Sequence, residues 1–253
     1  RVPPGARGVM RAAPALLLPL LAGLVLGAAA TPAAAPSAPT EPRDATMLRE
    51  FSTRLTVARL QYDGDDWYAN PSALPNLIKA LRTRTTLDVE PQEVRLRLSD
   101  DRLWDHPFLH LTGHGQIRFT DAEVQRLREY LLRGGFLHAD DNYGLDAAFR
   151  REIKRVFPDR ELVDVPLDHP IYRIVYPFPQ GVPKIHEHDA KPPRGFGIFI
   201  GDRLAVYYTH EADLGNGWED VGTYPNDPPE LHEQALRMGV NLYVYAVTSG
   251  MGR

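Results

Sequence analysis

Asp140 and Asp141 stand side by side at the end of an apolar run, a setting that restricts their chemistry. At close range two carboxylates repel, so the pair is expected to hold a cation, meet a positive partner or share a proton. The competing assignment puts one of them on the amides of a helix starting near Leu145, or on loop amides, and leaves the other in solvent. Upstream, Gly113-His114-Gly115 sets an imidazole between two residues that let a backbone approach a ligand closely. The ring has the chemistry of a general base, a general acid or a ligand; the plain alternative is a tight turn with His114 facing water. In a third stretch His186 and His188 are two apart, so on an extended segment both rings point one way, with Glu187 opposite and Asp189 near. With a carboxylate from Asp66, Asp140 or Asp141 this pair suits a divalent metal, although most such H-x-H matches in surface loops bind nothing. Trp67, Tyr68, Tyr143, Trp218 and Tyr224 are the rings that could line a sugar- or ring-stacking cleft, against ordinary packing as the common role of aromatics. Asp140, Asp141 and His114 are therefore the candidate catalytic residues, and His186 and His188 the candidate metal ligands. Asp66, Trp67, Tyr68, Gly113, Gly115, Asn142, Tyr143, Glu187 and Trp218 are the candidate ligand contacts.

These residues need elements to position them, and residues 108–144 supply the plainest ones. Phe108 to Thr112 is short, apolar and without alternation, as a strand covered on both faces should be. Thr120 and Glu123 have capping-box spacing, Val124, Leu127 and Leu131 form one helical stripe, and Gly134 suits a left-handed stop. Phe136 to Ala139 reads as the next strand, completing a βαβ unit and predicting an α/β fold. Polar turns follow four predicted strands, at residues 63–68, 112–116, 138–142 and 209–213. If those strands are parallel, at least the first three turns converge on one sheet edge, where open α/β sheets usually bind their ligands.

The other elements follow from periodicity. Residues 55–60 predict a first strand, and residues 71–81 lead into a helix with Leu74, Leu77, Ile78 and Leu81 on one face. Residues 89–98 alternate like a half-exposed edge strand, and 145–157 form a helix ending before Pro158. Segments 161–165 and 171–176 read as extended. A β-hairpin is expected around Gly201-Asp202, and a final helix opens with Asp227 as its cap and Pro at its first turn. His110 and His138 are expected as core histidines bonded to backbone. The glycines and carboxylates of residues 215–220 would suit a flap.

Composition narrows the function classes. The chain has 253 residues and carries 29 Lys and Arg against 33 Asp and Glu, a net charge of -4, which is no footprint for nucleic acid. It has no cysteine, so disulfides, thiolate metal sites and thiol nucleophiles are excluded. Met10-Arg11, an apolar run from Ala15 to Ala30 and Ala33-Ala34-Ala35 follow the order of a secretory signal, expected over residues 1–35 with residues 1–9 upstream of a plausible start. The Pro- and Ala-rich residues 36–50 read as a disordered linker, and 51–248 as one domain. The expected location is periplasmic or secreted, or anchored by an uncleaved N-terminal segment, which would be the chain's only membrane contact.

The strings DWYANPSALPNL, LTGHGQIRFT, GGFLHADDNYG, FRREIKRVFPD, DHPIY, KIHEHD, GFGIF and GWED, in that order, resemble the bacterial family called domain of unknown function 4159. That family is similar to the class I glutamine amidotransferase-like superfamily. The resemblance implies a flavodoxin-like three-layer α/β/α sandwich with a mostly parallel sheet, carrying the hairpin as an insertion. Amidotransferases place a nucleophilic Cys in the sharp turn after the strand that here ends at Ala139. This chain has Asp140, Asp141 and Asn142 there, so a thiolate mechanism is impossible. The family carries Gly where this chain has Asp65, which weights Asp66 above Asp65. No settled activity comes with the family. Two readings remain: a non-catalytic domain binding a small polar ligand (sugar or peptide) or an envelope protein, as catalytically dead members of the superfamily are thought to do, and a hydrolase using Asp140 or Asp141 with His114, with a divalent metal as its one conceivable cofactor. The absence of a complete catalytic motif favours the first.

Overall fold

The structure is a computed structural model describing residues 54–250. The expected signal and linker lie outside the described residues. Among the described residues no helix is long and apolar enough to cross a membrane.

The elements run β1 (Ala58–Leu60), β2 (Asp63–Gly64), α1 (Ala73–Arg84), β3 (Val94–Leu96), β4 (Phe108–Gly113), β5 (Ile117–Arg118), α2 (Asp121–Leu132), β6 (Phe136–Asp141), α3 (Asp146–Val156), β7 (Val163–Asp164), β8 (Arg194–Ile200), β9 (Arg203–His210), α4 (Leu214–Trp218) and α5 (Pro229–Ser249). Seven strands form one sheet in the order β3-β1-β4-β6-β9-β8-β7, and β2 pairs with β5 separately. The five strands from β3 to β9 are parallel, while β8 and β7 are antiparallel additions. The protein is thus α/β with a mostly parallel mixed sheet.

The sequence explains why β4 and β6 lie in the middle. Leu109, Leu111, Leu137 and Ala139 pack in one apolar cluster with Val124 and Leu127 of α2 and Phe149 and Ile153 of α3. Phe108 and Phe136 face the opposite cluster, with Leu74 and Leu77 of α1, Trp218 of α4 and Met238 and Leu242 of α5. Helices cover both faces, so neither strand can alternate. The capping box forms, Thr120 accepting from Glu123 N while the Glu123 carboxylate accepts from Thr120 N, and Gly134 takes φ +109 after α2.

Four expectations are corrected. Residues 170–172 form a 3-10 turn where an extended segment was expected, because Pro170 supplies a fixed φ and His169 Nδ1 accepts from Ile171 N. The hairpin is no insertion: β9 pairs parallel with β6 as well as antiparallel with β8, so it closes the central sheet. Asp227 does not cap α5; its carboxylate binds His186. Residues 214–218 are no flap but a short buried helix, since α5 lies across them.

Candidate functional site

Because β1, β4, β6 and β9 are parallel neighbours, all four polar turns leave the same sheet edge. Within β6 the alternation of side chains decides what the adjacent aspartates do. Asp140 points towards α4 and Asp141 towards α3, so the carboxylates leave the strand on opposite faces and need not share a proton. Asp140 is fully buried. Its Oδ2 accepts from Gly215 N at 2.7 Å, and its Oδ1 from Leu214 N at 3.3 Å and from the Thr209 hydroxyl. A Cβ on residue 215 would sit 2.9 Å from Asn70 Oδ1 and 3.2 Å from Asp140 Oδ2, so glycine lets the α4 backbone come this close. Asp141 Oδ1 accepts from Leu145 N at 2.9 Å and Tyr143 N at 3.2 Å, tying down the approach to α3. Burial outweighs the three hydrogen bonds and pushes the Asp140 carboxyl up to about 6.

Below Asp140 runs a column of buried polar groups. His110 Nδ1 lies 3.1 Å from His138 Nδ1, and His138 Nε2 lies 3.0 Å from Thr209 Oγ1. With Thr209 donating to an ionised Asp140, the protons have one consistent order. His138 Nε2–H donates to Thr209, and His110 Nδ1–H donates to the lone pair of His138 Nδ1. Both rings pack against Trp218, with centroids 5.3 and 5.6 Å away. The two histidines are core residues, as expected, but their bonds run to each other and to Thr209 and not to backbone. Trp218 is fully buried, with Nε1 donating to Ala235 O at 2.7 Å. It therefore packs the histidine pair and has no face to line a cleft, which corrects its expected role.

The histidine pair carries a pH signature. Burial lowers His138 from the usual 6.5 to about 3, and burial, then the neighbouring His138 and Arg59, hold His110 well below its usual value. The unfolded chain takes up these protons near pH 6.5 and the folded chain does not. The contribution of the neutral pair is thus complete above pH 6.5 and is lost as pH falls towards 3. Asp140, shifted the opposite way, opposes this between about pH 4 and 6. The difference between variants isolates the imidazole. In urea unfolding, His138→Gln is expected to be less stable than wild type at pH 8, with the gap narrowing between pH 6.5 and 4. A gap equal at both ends would mean that the ring is not held neutral.

The remaining candidates fall into two groups. His114 Nδ1 is 2.9 Å from Asp66 Oδ2, both half-exposed, on the turns beyond β1 and β4. A Cβ on residue 113 would lie 2.2 Å from Tyr62 Oη and 2.3 Å from Asp66 O, so the close approach that Gly113 permits is to the protein itself. Asp65, weighted below Asp66 on sequence, accepts from Gln116 N at 2.8 Å and sits where a Cβ on residue 115 would go. Tyr68 lies under the guanidinium groups of Arg59 and Arg95, and Trp67 packs on the α2–α3 side.

The second group gathers over the ends of β6 and β9. Tyr143 is 48% exposed and stacks on His188 at 4.5 Å. His188 Nε2 lies 3.2 Å from Asp213 Oδ2, and His186 Nδ1 donates to Asp227 at 2.8 Å. Glu187 is exposed, and Asn142 joins Asn70 and Asn216 in a buried amide chain. Among the described residues no three His, Asp or Glu side chains are grouped at metal-ligand distance. The structure therefore does not bring Asp66, Asp140 or Asp141 to the histidine pair. Tyr143, Glu211 and Asp213 all have positive φ, a costly conformation outside glycine that clusters at binding and catalytic sites.

Asp213, Asn70, Asn216 and Thr209 were not candidate site residues on sequence, although Thr209 and Asp213 bound the fourth polar turn and Asn216 lies in the segment expected as a flap. Asp213 is fully buried, and burial, then Asp140 and Asp141, push its carboxyl up to about 9. Its one legible signal was its place at the end of the fourth convergent turn.

The arrangement defines an α/β protein whose polar residues collect at the carboxyl edge of a parallel sheet and are mostly bonded to one another. The chain belongs to the family described as Domain of unknown function (DUF4159), whose model matches residues 56–247. No curated protein matches the chain.

Proposed function

We propose that this chain is a non-catalytic binding domain of the cell envelope, taking a saccharide, a peptide or a partner protein on the rim formed by Tyr143, His188, Glu187 and the Asp66–His114 turn. One observation carries the reading: the acids and bases that a hydrolase would need are occupied by the protein's own groups. Asp140 is buried among amides and Thr209, Asp141 holds the start of α3, and His114 is bonded to Asp66. Asp140 and Asp141 leave their strand on opposite faces and His114 is bonded to neither of them, whereas exposed Tyr143 supplies a ring for stacking. The resemblance to the glutamine amidotransferase-like superfamily, with its flavodoxin-like sandwich, supports the same reading. The position of its nucleophile is here filled by residues that brace the turn.

The test is a panel of envelope saccharides and peptides, each scored for binding by calorimetry and for cleavage by mass spectrometry. Binding without cleavage is expected, weakened about tenfold by Tyr143→Ala, the ~1.4 kcal/mol scale of one lost aromatic contact. Cleavage by wild type that Asp141→Asn or His114→Ala abolishes would establish the hydrolase instead.

A further inference from the structure

The geometry points to a zinc site built on Asp213 and His188, with His186 as the nearest further ligand. Asp213 is fully buried, yet neither of its oxygens has a hydrogen-bond partner, and His188 Nε2, also buried, has none. The two face each other, Asp213 Oδ2 lying 3.2 Å from His188 Nε2, without hydrogen-bonding geometry. Two unpartnered donor atoms at that separation are what a shared cation requires. With zinc bonds of ~2.0–2.2 Å to N and O, the edge of a tetrahedral site measures roughly 3.3–3.6 Å.

The surroundings agree with this. His186 gives its Nδ1–H to the Asp227 carboxylate, the arrangement that fixes a ligating imidazole and leaves Nε2 as the free lone pair. Its ring centroid is 4.9 Å from that of His188, and Tyr143 stacks on the outer face of His188. Lys184, whose charge also reaches Asp213, is already paired with Glu211 at 3.0 Å. Asp213 adopts φ 57, a conformation that costs stability outside glycine. Imidazole and carboxylate together suit zinc among the common divalent ions. With two protein ligands facing and a third near, zinc would pin this segment to the sheet edge. The inference goes beyond the binding reading and fails separately from it.

The test uses the full chain, stripped with EDTA and dialysed, then titrated with zinc chloride by calorimetry and with cobalt(II) by absorption. One zinc per chain is expected, with cobalt bands of a four- or five-coordinate site. Asp213→Asn and His188→Gln should each weaken zinc at least tenfold, and Asp227→Asn about tenfold by freeing His186, while Asp168→Asn, an exposed carboxylate outside both sites, should leave zinc affinity unchanged. Absence of zinc binding by wild type overturns the site, as does unchanged affinity in Asp213→Asn. Should that variant fail to fold, His188→Gln, on a partly exposed ring, decides in the same way. Saccharide and peptide binding is measured in parallel with EDTA present. Ligand binding together with no zinc uptake in the titration sinks the metal site alone, and zinc uptake with no ligand bound sinks the binding reading alone.

Discussion

Asp140→Ala is expected to destabilise the domain by ~3–5 kcal/mol, seen as a melting temperature lower by roughly 8–15 °C. The substitution strands two buried donors, Leu214 N and Gly215 N, and leaves the Thr209 hydroxyl only Ala139 O, 3.2 Å away, as acceptor; an orphaned donor costs ~1–3 kcal/mol before the structure relaxes. Asp140→Asn keeps one acceptor oxygen and removes a charge that burial disfavours, so it should recover part of the loss. A carboxylate serving chemistry at an open site would behave in the opposite way, with activity falling and stability holding. Thermal unfolding of the two variants at pH 7 separates these cases, and an unchanged melting temperature in Asp140→Ala would show that this carboxylate does not staple α4 to the sheet.

What could be read from sequence depended on how far apart the partners lie. The apolar runs of β4 and β6, the capping box of α2 and the Gly134 stop are local patterns, and each carries its own physical reason. The convergence of the first three turns needed only one further assumption, that the strands are parallel; the observed register supplies it and adds the fourth turn through the parallel pairing of β9 with β6. That one of the two aspartates braces the helix beginning near Leu145 was legible, because the distance along the chain is a few residues. That the other, Asp140, is buried and not in solvent was not, since its partners are on β9 and α4, some 70 residues away. Asn70 and Asn216 bond across 146 positions. Trp218 misled for a related reason. A run of Gly, Asn, Trp, Glu and Asp has the composition of an exposed loop, and nothing local reveals that α5 will cover it. Asp227 illustrates the same limit: its spacing before two prolines is that of a cap, yet His186 competes for its carboxylate and wins.

Trp218→Ala should be the most damaging of the aromatic substitutions, at ~3–5 kcal/mol, because the ring is fully buried and joins three layers of the structure. Its indole packs on His110 and His138 of the sheet, Nε1 donates to Ala235 of α5, and a Cβ on residue 239 would lie 3.0 Å from its ring atoms. Gly239 thus lets α5 settle on the tryptophan, and the cavity left by truncation would be bounded by backbone that cannot readily collapse. Trp218→Phe keeps most of the packing and loses the Ala235 bond, so a cost of about 1–2 kcal/mol is expected. The alanine variant has a second consequence that a simple cavity lacks. Water admitted beside the imidazoles would relieve the desolvation that keeps them neutral and raise their pKa values towards 6.5. Unfolding measured from pH 8 to pH 4 should then show a shallower acid loss attributable to the histidine pair in Trp218→Ala than in wild type. Parallel curves for the two proteins would mean that the sheet and α1, rather than this indole, keep the histidine column dry.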